Sequence, residues 1–270
     1  MALATLIGMI VVMAVGWAVQ ALANNGGWTD VFWTFGSGLC LAGAALATWP
    51  QWGPPTPRQW AVAALVGIWA LRLGSYIAGR VAKSPEEDAR YAAFRKEWAP
   101  HFQRGMFFFL QAQAPATALL AISIVLAARE PSPGVRVQDI AGFALLAVSI
   151  LGESLADGQM RRFRADPANK GKVCERGLWA WSRHPNYFFE WLVWMAYPVI
   201  ALEPAHPLTW LSFAAPAMMY LLLTRVSGVP PLERAMLASR GDLFRDYQAR
   251  VSVFFPLPPK RAQPQGKPAS

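Results

Sequence analysis

Polar side chains recur at helical spacing inside two runs of this chain that are otherwise apolar. Glu153, Asp157, Arg161 and Arg164 follow one another at steps of four and three residues, so a helix gathers them into one stripe. Asn186 and Glu190 repeat the four-residue step just after Pro185, a residue suited to the first position of a helix. The free backbone N–H groups of such a helix start, with Arg183 and His184 beside them, make a cradle for an anion. Carboxylates, an amide and arginines together can grip the amide, hydroxyl and phosphate groups of a charged cofactor. The plainer accounts are an ion-pair ladder along the first stripe and, for Arg183 and His184, the capping and anchoring of a helix. Tyr187, Trp191 and Trp194 fit an aromatic belt or a bundle core, and Trp194, one turn deeper than Glu190, can pack on a flat ring.

A third stripe is Arg72, Tyr76 and Arg80. Arg80 fits a snorkelling arginine, whereas Arg72, two turns deeper, calls for an anionic partner. Asp30 stands where an apolar run begins and fits an N-cap of that helix.

The elements that position these residues are membrane helices. Only 15% of the 270 residues are charged, 54% are apolar and 13 are Trp, the composition of a membrane protein. The net charge of +9 does not point to nucleic acid, because the basic residues cluster between apolar runs instead of forming one solvated face. Cys40 and Cys174 supply neither a disulfide framework nor metal-ligand spacing. Seven apolar runs are expected as helices, at about 2–23, 31–48, 60–79, 107–127, 138–160, 187–202 and 207–224, the sixth being short. The fold class is therefore all-α, a polytopic membrane protein of seven transmembrane helices. It is expected as one domain over 1–256 with a disordered tail over 257–270. The first run lacks a basic leader and a small-residue cleavage site and reads as a retained helix.

Basic residues concentrate in 83–105, 161–185 and beyond 224, while Arg58, Arg129 and Arg136 fall on the opposite side. By the positive-inside rule the N-terminus is outside and the C-terminus cytoplasmic. Asn24-Asn25-Gly26-Gly27 ends the first run in a turn, and the proline-rich loop 50–58 resists helix. Ser84-Pro85-Glu86-Glu87 is expected to open an amphipathic helix carrying Tyr91, Phe94 and Trp98 on one face. No Gly-x-Gly-x-x-Gly follows a strand, so a Rossmann site is excluded, and Gly36-Ser37-Gly38 reads as close helix packing.

Gly177-Leu178-Trp179-Ala180-Trp181-Ser182-Arg183-His184-Pro185-Asn186-Tyr187-Phe188-Phe189-Glu190 resembles the signature of the steroid 5α-reductase family, in the bacterial branch of multi-span proteins related to it. Asp30 and Trp33 resemble an early Asp-x-x-Trp element, the stretch from Leu223 to Glu233 a late loop, and Asp246-Tyr247 with Phe254-Phe255-Pro256 the closing segment. Phe189 departs from the pattern, since relatives often carry Gly there. The resemblance implies a seven-helix enzyme of a bacterial inner membrane that uses NADPH to reduce a carbon–carbon double bond conjugated to a ketone. Asp157, Arg164, Asn186 and Glu190 match residues that hold the dinucleotide, Glu153 stands where the steroid enzymes use Asn, and Arg72 matches a further cofactor-side arginine. Arg161, Arg183, His184, Tyr187 and Glu233 join that set. Trp194 matches an aromatic near nicotinamide and substrate, and Trp33 and Trp69 are placed with it against an apolar enone lipid, a steroid or a related molecule.

Hydride attack on the β-carbon of an enone builds negative charge on the ketone oxygen, so a donor aimed there lowers the barrier. The nearest matches to the family's glutamate and tyrosine are Asp30 and Trp69. Trp69 cannot protonate an oxygen, though its indole N–H can donate a hydrogen bond, which leaves Asp30, expected to be held protonated by burial, as the acid and Tyr76 as the second candidate. An S-adenosylmethionine-dependent membrane methyltransferase of the isoprenylcysteine type is the alternative, because that family also has an Arg-His-Pro-x-Tyr element before a late span and a glutamate in a cytoplasmic loop. A transporter or lipid-binding protein is a third reading. Apart from the bilayer and the lipid substrate, no partner is implied.

Overall fold

A computed structural model describes residues 1–48, 53–84, 87–132 and 134–260. Among these residues regular structure is helical, apart from one isolated bridge between Ser182 and Ser252. The order is α1 (Ala2–Ala23), α2 (Trp28–Leu46), α3 (Pro57–Lys83), α4 (Ala89–Glu97), α5 (Phe102–Gln111), α6 (Gln113–Ala128), α7 (Val137–Ala165), α8 (Pro185–Ala201), α9 (Ala214–Leu221), α10 (Val229–Arg240) and α11 (Asp242–Arg250). Five stretches are long and apolar enough to cross a bilayer: α1, α3, α5 with α6, α7, and Pro207–Arg240. The second and sixth expected runs, α2 at 19 residues and α8 at 17, fall outside that set. At about 1.5 Å per residue α8 extends about 26 Å, short of a hydrocarbon core of about 30 Å.

Local chemistry explains the ends. Asn24 takes a left-handed conformation (φ 49°) and closes α1. Thr56, Pro57 and Gln59 open α3 with a capping box, Thr56 accepting from the Gln59 backbone while the Gln59 side chain accepts from Thr56. The run expected over 107–127 begins earlier and breaks at Ala112, because Pro115 has no N–H for the carbonyl four residues back. Asp88 caps α4, so the amphipathic helix starts at Ala89; Pro85 and Glu86 lie outside the described residues, as do Pro50 and the tail from Arg261.

The chain divides into two compact units. Unit 1 comprises Met1–Ala147 and Val193–Met219, and unit 2 comprises Val148–Leu192 and the chain from Tyr220.

In unit 1, α1, α2, α3 and α6 pack on one another. Glycine lets α2 approach both neighbours. Gly36 faces Val12 and Gly38 faces the Ala70 methyl, with no room for a Cβ at either, and a Cβ on Gly74 would come within 2.6 Å of the Phe35 ring. Close backbone approach of this kind drives association where lipid offers no hydrophobic gain. Tyr91 of α4 joins a core with Met9, Met13, Phe102, Met106 and Leu110, so the apolar face of α4 is buried in protein. The three arginines expected on the outer side are held from within. Arg58 and Arg136 pair with buried Glu130 and Asp139, and Arg129 donates to the Ala47 carbonyl.

In unit 2, a Cβ on Gly152 of α7 would come within 2.6 Å of the Phe189 ring of α8. The bulky residue at the position where a glycine was expected is thus received by a glycine on the facing helix.

Replacing Gly38 by Ala is expected to destabilise the fold by about 1–3 kcal/mol through overpacking. Pairing it with Ala70→Gly should recover most of the loss in detergent thermal unfolding; an unchanged midpoint for Gly38→Ala would disprove the close contact.

Candidate functional site

The signature stretch folds as a fastened loop in unit 2. Gly177 has φ +60° and lies against the Gln159 side chain, which accepts a hydrogen bond from the Leu178 N–H at 2.9 Å. The Trp179 indole donates to the Ala156 carbonyl at 2.9 Å, so the loop is tied to α7 next to Asp157. Its other side is tied to the C-terminal segment. Tyr247 donates to the Trp179 carbonyl at 2.5 Å, the Arg183 N–H to Ser252 O at 2.8 Å, the Ser182 hydroxyl to Phe254 O at 2.8 Å, and Leu257 N–H to Trp181 O at 3.0 Å. Burial pushes the Tyr247 phenol above its ordinary value, which keeps its proton available for that bond.

At the centre stands Glu233, the fifth residue of α10. One of its oxygens takes Arg183 Nε at 2.7 Å and His184 Nε2 at 3.1 Å; the other takes Gln248 Nε2 at 2.7 Å and Arg183 Nη2 at 3.3 Å. Arg183 Nη1 donates to the carbonyls of Gln248 and Val251 at 3.2 and 2.6 Å. Every guanidinium nitrogen of Arg183 is therefore engaged within the protein, and so is the ring nitrogen of His184. The expected anion cradle has become a structural clamp. Burial lowers the His184 imidazole below its ordinary value of 6.5, although its bond to Glu233 opposes the shift. Tyr187 stacks on His184, with ring centroids 5.6 Å apart and planes 10° apart.

The remaining polar candidates of unit 2 separate by burial. Glu153, Asp157 and Glu190 are 3%, 5% and 6% exposed, deep for carboxylates, and Asn186 is half-buried on the first turn of α8. Glu153 and Glu190 each adjoin in sequence the Gly152–Phe189 contact that brings α7 and α8 together. Arg161 and Arg164, at the end of α7, are exposed.

Unit 1 holds the other candidates. Trp33, Trp69 and Trp194 come together as one aromatic chain: Trp33 and Trp69 have centroids 6.2 Å apart, Trp69 and Trp194 5.0 Å, and Tyr197 extends the chain at 6.1 Å from Trp194. Trp69, Trp194 and Tyr197 are each 1% exposed. On α3 the Arg72 guanidinium lies 5.7 Å from the centre of the Tyr76 ring, a cation–π distance.

Asp30 departs from its expected role. One oxygen accepts from Arg90 Nη2 at 2.7 Å and the other from the Tyr91 hydroxyl at 2.6 Å. A carboxyl paired with a guanidinium and accepting at both oxygens is a carboxylate, without a proton to donate, so the neutral-acid assignment is corrected. Tyr91, which also accepts from the Thr29 hydroxyl at 3.0 Å, is pushed well above its ordinary value, first by burial and then by the charge of Asp30. Arg90 in turn is held by Asp88 at 3.0 Å.

Residues 16–251 match the family described as "Protein of unknown function (DUF1295)". The chain belongs to that family. It is also 35% identical over 98 residues to "Uncharacterized protein C594.04c" of Schizosaccharomyces pombe, a match that spans 35% of this chain and 27% of that protein. No solved structure matches. The family match runs from within α1 to the end of α11 and includes every candidate residue above.

Sequence reasoning did not single out Arg90, Tyr91, Gln159 or Gln248. Tyr91 stood out only as one aromatic on a helical face, and Gln248 carries no local signal; their partners are 61 and 15 residues away in the chain.

Three outcomes follow for the clamp and for Asp30. Glu233→Ala leaves Arg183 buried without its carboxylate and is expected to cost about 3–5 kcal/mol in unfolding experiments. Because the His184 pKa is lowered in the folded state, the unfolded chain binds the proton more readily. Stability should therefore fall as pH drops below 6.5, and His184→Asn should flatten that slope. Asp30→Asn should lower thermal stability by about 1–3 kcal/mol through its lost charge-assisted bonds; normal stability with lost turnover would restore the acid role.

Proposed function

We propose that this protein is an NADPH-dependent membrane reductase of the carbon–carbon double bond of an enone lipid, of the 3-oxo-steroid type. The observation that carries the reading is the group of buried carboxylates, Glu153, Asp157 and Glu190, on apolar helices beside the fastened signature loop. Charged acceptors at such depth are expensive and suit a ligand rich in amide and hydroxyl donors. The resemblance to the steroid 5α-reductase signature supplies the identity of that ligand.

The residues of unit 2 fit the group. Glu153, Asp157, Asn186 and Glu190 would take the amide and ribose hydroxyls, while exposed Arg161 and Arg164 are available for phosphates, a part for which Arg183 is less suited because every nitrogen of its guanidinium is already bonded within the protein. Bound NADPH would supply the hydride that adds to the β-carbon. The apolar substrate falls to the aromatic chain of Trp33, Trp69 and Trp194 in unit 1. Tyr76, with a phenol that can donate, replaces Asp30 as the acid at the ketone oxygen, and Arg72 lies over its ring. Seven spans, with the N-terminus outside and the C-terminus in the cytosol of a bacterial inner membrane, complete the reading: α2 and α8 cross with the five longer stretches.

One observation favours the alternative. The Arg-His-Pro element and the late glutamate, the features shared with isoprenylcysteine methyltransferases, are in direct contact through Arg183, His184 and Glu233. Thermal unfolding of the detergent-purified protein separates the readings. NADPH at a hundredfold excess over its Kd is expected to stabilise by about 2.7 kcal/mol, and Asp157→Ala should remove most of that shift. Tyr76→Phe should keep the shift and lower turnover of an enone by about 10²-fold or more, the range of a general acid. Stabilisation by S-adenosylmethionine alone would overturn the reductase.

A further inference from the structure

The outward face of α7 carries a pattern that the proposed reaction does not use. Val148, Leu151 and Leu155 are 56%, 69% and 48% exposed, and their spacing of three and four residues makes one stripe. Seven residues beyond Leu155, on the same stripe, comes Arg162, which is also exposed. Arg161 and Arg164 lie about 100° and 160° round the helix from Arg162, towards Glu153 and Asp157, so Arg162 stands apart from the cofactor set.

Depth agrees with the stripe. The midpoint of α7, 29 residues long, is Leu151. Arg162 lies eleven residues on, about 16 Å along the axis, and half a hydrocarbon core is about 15 Å. With α7 centred in the bilayer, the guanidinium reaches the phosphate level about 10 Å beyond Leu155, the last apolar residue of the stripe.

The turn that follows α7 adds further charge. The Asn169 amide donates to the Phe163 carbonyl at 3.0 Å, and Lys172 N–H to Asn169 O at 3.0 Å, folding 166–172 back on the end of α7. Lys170 and Lys172 are exposed there. Between 161 and 172 five cations stand against one acid, Asp166, whose oxygens are occupied by the Ala168 N–H and the Asn169 amide. Among the described residues none of these five cations forms an ion pair.

We propose that Arg162, Lys170 and Lys172 form a docking point for the phosphate headgroups of anionic phospholipids. An acyl chain lies along Val148, Leu151 and Leu155 while the headgroup meets three cations, so the occupant must have both parts. A zwitterionic lipid brings its own ammonium to the same place and is disfavoured there. The contact fixes the axial level of α7, the helix that carries Glu153 and Asp157.

The test uses the full chain in detergent, titrated with phosphatidylglycerol, phosphatidylcholine or inorganic phosphate. Phosphatidylglycerol is expected to raise the unfolding midpoint by about 2–4 °C, with no comparable shift from the other two. The triple variant Arg162→Gln, Lys170→Gln, Lys172→Gln should lose the phosphatidylglycerol shift, and the charge-preserving Arg162→Lys, Lys170→Arg, Lys172→Arg should keep it. Lipid phosphorus co-purifying with the protein should fall in the glutamine variant even if its midpoint changes. Equal shifts from both lipids, a phosphate shift matching that of phosphatidylglycerol, or undiminished shift or lipid content in the glutamine variant would overturn the proposal. Because the three residues lie outside the cofactor set, a failure here leaves the NADPH reading standing.

Discussion

A charged arginine next to membrane helices must be neutralised, and in unit 2 Glu233 does this for Arg183. Both carboxylate oxygens are doubly occupied, by the guanidinium, the His184 ring and the Gln248 amide. Removing that one carboxylate would strand a guanidinium and two further donors at once. The loop between α7 and α8 buries Cys174 and Trp179 and is fastened by such bonds, so the clamp helps set where α8 begins. Asn186 and Glu190 are counted from that start. The interaction therefore governs the candidate site without contributing a group to it.

Size complementarity does for the helices what the clamp does for the loop. Gly152 receives Phe189, Gly38 receives Ala70 and Gly74 receives Phe35, each pairing a residue without a side chain with one that fills the space. Van der Waals contact of this kind is what remains to hold helices together once lipid has removed the advantage of burying apolar surface. It also accounts for the one departure from the signature. A phenylalanine at 189 with a residue other than glycine at 152 would separate α7 from α8 beside two buried carboxylates, so the two positions form a unit.

The apolar runs, their alternation with basic segments and the turn at Asn24 were legible because each is a local consequence of composition and backbone preference. The helix faces were legible too, since periodicity alone groups Glu153 with Asp157 and Asn186 with Glu190. What periodicity could not supply was partner choice. Asp30 read as the acid through its match to the family's glutamate; Arg90, sixty residues on, pairs with it. Arg183 read as a phosphate ligand because its neighbours leave it unpaired, and only the fold of α10 and α11 brings Glu233 and the Gln248 and Val251 carbonyls to it. The aromatic chain was reached by a different route. Trp33, Trp69 and Trp194 were grouped by resemblance, and their meeting in unit 1 is a fact that spacing could not have anticipated.

The charged residues thus sort by what they are already bound to. Arg58 and Arg136, expected to stand free on the outer side, are enclosed with Glu130 and Asp139; Arg90 is enclosed with Asp30 and Asp88; Arg183 is enclosed with Glu233. Each of these arginines has given up its binding capacity to hold helices and loops in register. A group of cations outside these pairs stands at the end of α7, where Arg161 and Arg164 continue the face of the buried carboxylates and Arg162 continues the exposed apolar face. One helix end then carries exposed cations on two faces. A phosphate-bearing cofactor on one and a lipid headgroup on the other would both act on the axial position of the same helix, and any ligand that moves Arg162 must also move Asp157.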